Sequence, residues 1–268
     1  MAGISIIIPY FNRENTIERC LRSIGLDAGH DIEVIIVDDC STQPLADFGN
    51  PAIRVLRLAS NMGPVAARAL GASKVTKEFL MFFDSDDELV DGWYARFSHE
   101  VERMPGFDIY GFPDEKYVSE NSFAVCSLDH YWRWVQREER ASDYIITMKA
   151  SAYQKVPMPS VRISEIWYIV QLFENGLKAH YAAVPLFRYH QDSGNQLSKK
   201  RFLHFDTSAY TRSSLAYAVG VFRRNRAKMK LVALPYHQAW SRRFLKECVL
   251  SLSLGSLVAL LWSKNGSK

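Results

Sequence analysis

Asp84, Asp86, Asp87 and Glu88 put four acidic side chains into five positions, with Ser85 as the one interruption, directly after the apolar run Phe79–Phe83. Carboxylates this dense repel one another unless a cation or a hydrogen-bonded ligand offsets them. Three aspartates exceed what a turn needs, and hard oxygen donors in this number suit Mg²⁺ or Mn²⁺. Asp87 and Glu88 can also simply begin the following segment. Two more polar clusters follow apolar runs. Pro9-Tyr10-Phe11-Asn12-Arg13 follows Ile4–Ile8, and Asp38-Asp39-Cys40-Ser41 follows Val34–Val37. An aspartate after a strand often only closes a turn, and that reading stays open for Asp38.

The elements that must position these clusters can be read from the pattern. Ile4–Ile8 is a β-branched strand ended by Pro9. The next helix is expected from Asn15, with Glu18 completing a capping box and Ile17, Cys20, Leu21 and Ile24 as its apolar stripe. Val34–Val37 and Ile53–Leu58 are further strands. Asn61-Met62-Gly63-Pro64 turns into a helix with Pro64 at its first position, and Phe79–Phe83 is the next strand. Continuous apolar strands alternating with helices give an α/β fold, a mostly parallel sheet covered on both faces. Ligands bind such sheets beyond the carboxyl ends of the strands, so the topology brings the three clusters to one rim. Beyond residue 105 aromatics become dense, as in His130–Trp134. A helix is expected over Ser164–Asn175, stopped by Gly176, then a strand over Tyr181–Val184 and the run Leu186–His190.

The 268 residues are 48% hydrophobic, with only 14 Gly and 10 Pro, which fits one large or two small packed domains. A net charge of +4 does not suggest nucleic acid as a partner. The four cysteines, at 20, 40, 126 and 248, are too scattered for a metal knuckle or a CxxC pair, and a reducing cytoplasm is expected. The chain enters a strand at once, so no signal peptide is expected. The GxxxxGK[ST] and GxGxxG loops are both missing, which argues against a P-loop enzyme and an ordinary dinucleotide-binding domain. From about residue 202 the pattern is helical, basic and amphipathic. Basic runs at 223–230 and 242–246 precede Cys248–Trp262, fifteen residues without a charge, shorter than the roughly 20 a spanning helix needs. A buried helix, a helix lying on an anionic membrane surface, and a homodimer contact with a second subunit all stay open.

Ser5–Arg13, Val37–Ser41, Asn61–Gly63 with Ala67, Arg68 and Gly71, and Phe83–Asp87 together resemble, in order, spacing and type, the family 2 glycosyltransferases of the GT-A fold. The likeness covers about the first 95 residues, weakens from 105 to 195 and ends near 200. It implies a Rossmann-like nucleotide-sugar half over 1–105, an acceptor half over 106–205 and a helical extension over 206–268. It also implies inverting, metal-dependent transfer from a nucleotide-diphospho-sugar, most commonly a UDP-sugar. The acceptor would be a hydroxyl of a saccharide or lipid-linked saccharide in bacterial surface polysaccharide synthesis. The enzyme would be cytoplasmic or peripheral on the inner membrane.

By that resemblance Pro9, Phe11 and Asn12 line the nucleoside pocket, with Phe11 near the base. Asp39 bonds the base edge, with Asp38 as its partner. Arg68 approaches the diphosphate or holds the acidic loop. Asp84 faces the ribose and sugar, Ser85 lies beside it in the donor loop, and Asp86 ligates Mn²⁺ or Mg²⁺ on the diphosphate. His190, in the segment 187–193 that closes over the donor, is a further metal ligand or diphosphate contact. The family's base is the aspartate of a Glu-Asp pair at a helix head, about a dozen residues before a Gly. Here Ser164-Glu165 stands in that place, which makes Glu165 the candidate base; its alternative use is to meet the positive end of the helix that Ser164 caps. Cys40 stands where Gly is usual, so that turn must close without one. Trp132, Trp134 and Trp167 suit either a sugar ring or the core. A sugar-phosphate nucleotidyltransferase would carry a Gly-rich loop after its first strand, where this chain has Tyr-Phe-Asn-Arg. An inactive binding module would keep the sheet and lack the base.

Overall fold

The computed structural model describes residues 2–116, 121–137, 144–161 and 165–190. The expected C-terminal extension with its basic runs and apolar tail, Ser164, Ser193 and the side chains of Trp132 and Trp167 lie outside the described residues. In chain order the elements are β1 (Ile4–Tyr10), α1 (Glu14–Ile24), β2 (Ile32–Asp38), β3 (Ile53–Arg57), α2 (Pro64–Ala72) and β4 (Phe79–Phe82). There follow β5 (Glu88–Leu89), α3 (Trp93–Arg103), β6 (Ile109–Pro113), β7 (Phe123–Val125), α4 (Leu128–Arg137), β8 (Tyr144–Lys149), α5 (Ala150–Lys155), α6 (Glu165–Glu174), β9 (Ala179–Tyr181) and β10 (Phe187–Arg188).

Eight strands form one sheet in the order β3-β2-β1-β4-β8-β6-β9-β7. β1 runs parallel to β2 and to β4, with Ile4 opposite both Ile32 and Phe79. β8 and β7 run against their neighbours, and the other six strands share one direction. The side-chain alternation of β-strands splits the core between the two faces. Ile7, Leu80 and Phe82 pack with Val65, Ala69 and Ala72 of α2 and with Val170 and Phe173 of α6. Ile6, Ile8, Met81 and Phe83 pack with Ile17, Cys20 and Ile24 of α1 and with Phe97 and Val101 of α3.

Small residues set how closely α2 approaches. A Cβ on Gly71 would lie 2.5 Å from Ile7 Cγ2 and 3.2 Å from Val37 Cγ2, so any other residue there would push the helix off β1 and β2. At the other end of the fold, α6 closes as expected. Leu177 N–H donates to Leu172 O and Gly176 N–H to Phe173 O, the paired bonds of a Schellman end.

Some local expectations are corrected. β1 does not stop at Pro9 but runs through it to Tyr10. Ile7 O accepts Phe83 N–H and Tyr10 O accepts Asp39 N–H, so residue 9 faces the β4 side, where β4 has already ended and no donor is needed. α1 starts at Glu14, with Arg13 as N-cap and no side-chain cap bond. Its first turn closes on the Arg13 carbonyl, which accepts from Thr16 and Ile17 N–H. Asn15 is therefore inside the helix and cannot form the capping box with Glu18. The strand expected over Tyr181–Val184 is instead β9, ending at Tyr181. β6, β7 and β8 extend the sheet where only a change of pattern was read. Trp134 is a core residue, with its ring 4.4 Å from that of Tyr181 and 5.2 Å from that of Phe123.

Candidate functional site

The carboxyl ends of β1, β2 and β4 lie side by side, and the loops leaving them are knitted together. Asn12, at φ 49°, donates its N–H to Ser41 Oγ (2.9 Å) and accepts Thr42 N–H on Oδ1 (2.8 Å). Next to it Phe11 is 42% exposed, one of two large apolar side chains in the open among the described residues. Pro9 precedes them at the end of β1.

Both aspartates after β2 are buried. Asp38 accepts Ser41 N–H at 2.8 Å and Leu45 N–H at 3.3 Å and pairs with Arg57. Burial works to raise its pKa, but these hydrogen bonds outweigh it and hold the carboxyl below the ordinary aspartate value. Asp39 accepts Met62 N–H on Oδ1 (2.6 Å) and Gly63 N–H on Oδ2 (2.7 Å), which fixes the entry to α2. Cys40 has φ 62°. The turn thus keeps the left-handed conformation that glycine adopts without strain, and a cysteine bears it.

Arg68 joins the remaining pieces. It projects from α2, more than nine-tenths buried, and its guanidinium lies between two carboxylates. Nη2 pairs with Asp84 and Nη1 donates to Glu165 Oε2 at 3.0 Å. Burial opposes its charge, yet Glu165 and Asp84 outweigh that and raise its pKa. Arg68 Nε–H has no partner among the described residues. Glu165 is the first residue of α6, so a helix from the far half of the chain places its carboxylate at this rim. Asp84 and Glu165 keep about half and two-fifths of their side chains exposed.

Asp86 lies on the other side of the acidic loop. Its carboxylate is 3.6 Å from Arg13 Nη2, and its carbonyl accepts Arg19 Nη2–H at 2.9 Å. Ser85 is buried between the two acids. Asp87 is buried too, and its Oδ1 accepts the backbone N–H of His190 at 3.2 Å. Burial and the neighbouring Asp84 raise its pKa to about 8, against the lowering effect of the His190 bond. His190 reaches this loop because β10 pairs with β5, and its Nε2 is 3.2 Å from Glu88 Oε1. Arg13 and Arg19 thus join the site without having been expected there. A basic residue shortly after β1 and a third aspartate beside the pair were the available signals.

Mg²⁺ and Mn²⁺ are commonly held by one or two carboxylates, with water and substrate phosphates completing the shell. Asp84 and Asp86 fit that need. Among the described residues no three His, Cys, Asp or Glu side chains form a group that could hold an ion alone. The donor set therefore suits a cation shared with a diphosphate.

The model of glycosyl transferase family 2 matches residues 5–153, more than half of the chain. The chain belongs to this family. Two uncharacterized glycosyltransferases of Haemophilus influenzae are similar to it. One is 29% identical over 113 residues, covering 41% of this chain and 38% of the relative, and the other 24% over 160 residues, covering 58% and 60%. The chain thus spans less than two thirds of either relative. Among solved structures, Staphylococcus aureus TarS 1–349 in complex with UDP-GlcNAc superposes with a TM-score of 0.63 at 16% identity, over 82% of this chain and 65% of that one. GalNAc-T7 with UDP, GalNAc and Mn²⁺ gives 0.57 at 14% identity, over 83% and 48%. These likenesses establish the GT-A fold.

Proposed function

We propose that this family 2 glycosyltransferase is an inverting, metal-dependent enzyme. It would move a sugar from a nucleotide-diphospho-sugar, a UDP-sugar by preference, to a hydroxyl of a saccharide or lipid-linked saccharide. The observation that carries the reading is the Arg68 guanidinium between Asp84 and Glu165, which joins a metal-type carboxylate to a carboxylate suited to proton abstraction. The UDP-GlcNAc held by TarS and the UDP and Mn²⁺ held by GalNAc-T7 are ligands of those proteins, and they support the choice of donor.

Residues 1–105 bind the donor. Phe11 offers an exposed face for the base. Asp39, held by the Met62 and Gly63 amides, meets a base-edge N–H; Asp38 braces the same turn. Asp86, with Asp84, would hold Mn²⁺ or Mg²⁺, which when bound would neutralise charge developing on the departing diphosphate; His190, whose Nε2 lies 3.2 Å from Glu88, would contact the diphosphate. Arg68 fixes Glu165. Glu165 accepts the proton of the acceptor hydroxyl as that oxygen bonds the anomeric carbon. The bond from that carbon to the phosphate oxygen breaks on the opposite face, its electron pair leaving with the diphosphate, so the configuration inverts. Residues 106–205 bind the acceptor, and the basic runs at 223–230 and 242–246 would favour an anionic membrane surface. Among the described residues no helix is long and apolar enough to cross a membrane.

A panel of nucleotide sugars, assayed for binding and hydrolysis with Mn²⁺ and with chelator, tests this. Binding of one nucleotide class that chelator weakens is expected. Asp86→Ala should lose that binding, and Glu165→Gln should retain it while losing transfer. Equal binding and turnover with and without chelator would remove the metal. Nucleotide binding with no transfer to any acceptor would leave a binding module.

A further inference from the structure

Each acid of the Asp84–Asp86 pair already faces a guanidinium. Arg68 is buried and fixed from both sides by Asp84 and Glu165. Arg13 faces Asp86 across 3.6 Å, longer than a hydrogen bond, and it sits in the loop that carries Phe11 and Asn12. Both side chains of this pair are about 85% buried, so their interaction is less screened than on an open surface.

We propose that Arg13 is a built-in counter-ion that competes with the divalent cation for Asp86, and that a nucleotide diphosphate relieves the competition by giving Arg13 another anion. The inference rests on the donor reading above. A cation at Asp86 brings positive charge against the Arg13 guanidinium, so the metal alone binds weakly. A diphosphate compensates both cations together. Metal and nucleotide therefore bind with positive coupling, and by linkage each strengthens the other by the same factor. The loop does not depend on Arg13 for its shape. Arg19 holds the Asp86 carbonyl at 2.9 Å and Glu88 Oε1 at 2.9 Å, and Asp87 N–H closes the turn on Asp84 O at 3.2 Å.

Calorimetric titration of the full chain tests this with Mn²⁺ alone, UDP alone in chelator, and UDP with saturating Mn²⁺. Arg13→Gln should bind Mn²⁺ alone about fivefold or more tightly than wild type, bind UDP in chelator more weakly, and lose at least about fivefold of the coupling factor, the lower end of ordinary coupling. Arg13→Lys, which keeps the charge, should remain near wild type in Mn²⁺ affinity and guards against reading a folding defect as an effect. Unchanged or weaker Mn²⁺ binding by folded Arg13→Gln overturns the proposal while the donor reading stands. Failure of the wild-type protein to bind UDP even with Mn²⁺ overturns the donor reading, and this inference with it.

Discussion

Asp38 and Asp39 at the end of β2 and Asp84 and Asp86 after β4 lie at neighbouring strand ends, and they are compensated by opposite means. After β2 the partners are mainly backbone amides: Ser41 and Leu45 for Asp38, Met62 and Gly63 for Asp39. After β4 the partners are side chains, Arg68 for Asp84 and Arg13 for Asp86. An amide in the main chain cannot leave without unfolding the turn, whereas a guanidinium on a flexible stem can give way to another cation. The same residue type is thus held by main-chain donors at one strand end and by side-chain cations at the next.

Four measurements would break or sharpen this contrast. The largest effect should come from the side held by side chains. Glu165→Gln, which keeps the shape of the Arg68 contact and removes the proposed base, should slow transfer about 10²–10⁴-fold at unchanged affinity for UDP with Mn²⁺. A full rate would take the chemistry away from this rim. On the side held by main-chain donors, Asp39→Ala strands two amides and should cost about 3 kcal/mol in urea unfolding. Asp86→Ala should stay within about 1 kcal/mol of wild type, and equal losses for the two would erase the distinction.

Acid gives the third. The folded-state pKa of Asp38 is depressed, so its contribution is fully present above the unfolded value, about 3.9, and is lost as pH falls through the lower folded value. Urea midpoints measured from pH 6 down to roughly 3 should fall less steeply for Asp38→Asn than for wild type; parallel curves would mean that the turn does not draw on that charge. The smallest effect concerns Cys40. A left-handed non-glycine residue costs about 1–2 kcal/mol, and glycine's extra chain freedom returns roughly half of that. Cys40→Gly should therefore stabilise the chain by about 0.5–1 kcal/mol, seen as a small rise in thermal midpoint, while a clear loss would assign the thiol a packing role.

The strand ends were legible because β-branched and apolar runs such as Ile4–Ile8 and Phe79–Phe83 announce buried parallel strands without help from elsewhere. Gly176 announced its helix end in the same local way. The pairing that defines the site was not legible: Arg68 and Glu165 are 97 residues apart, and neither carries a mark of the other. β9 was misplaced for a similar reason. His180 looks like a surface residue until its ring is seen 2.6 Å from the buried Glu100 carboxylate, a partner in α3 that lets a polar residue occupy a sheet interior. Asp87 was undervalued because burial, which gives it its character, is a property of the β5–β10 pairing. In α1 the capping box was outweighed by the left-handed step at Asn12, which starts the helix one residue earlier.

β4 is only four residues long, yet it is hydrogen-bonded to β1 on one side and to β8 on the other. The strands on its two sides are therefore joined in one continuous sheet. Amide hydrogens on both flanks of Phe79–Phe82 should then exchange as one slow cooperative unit.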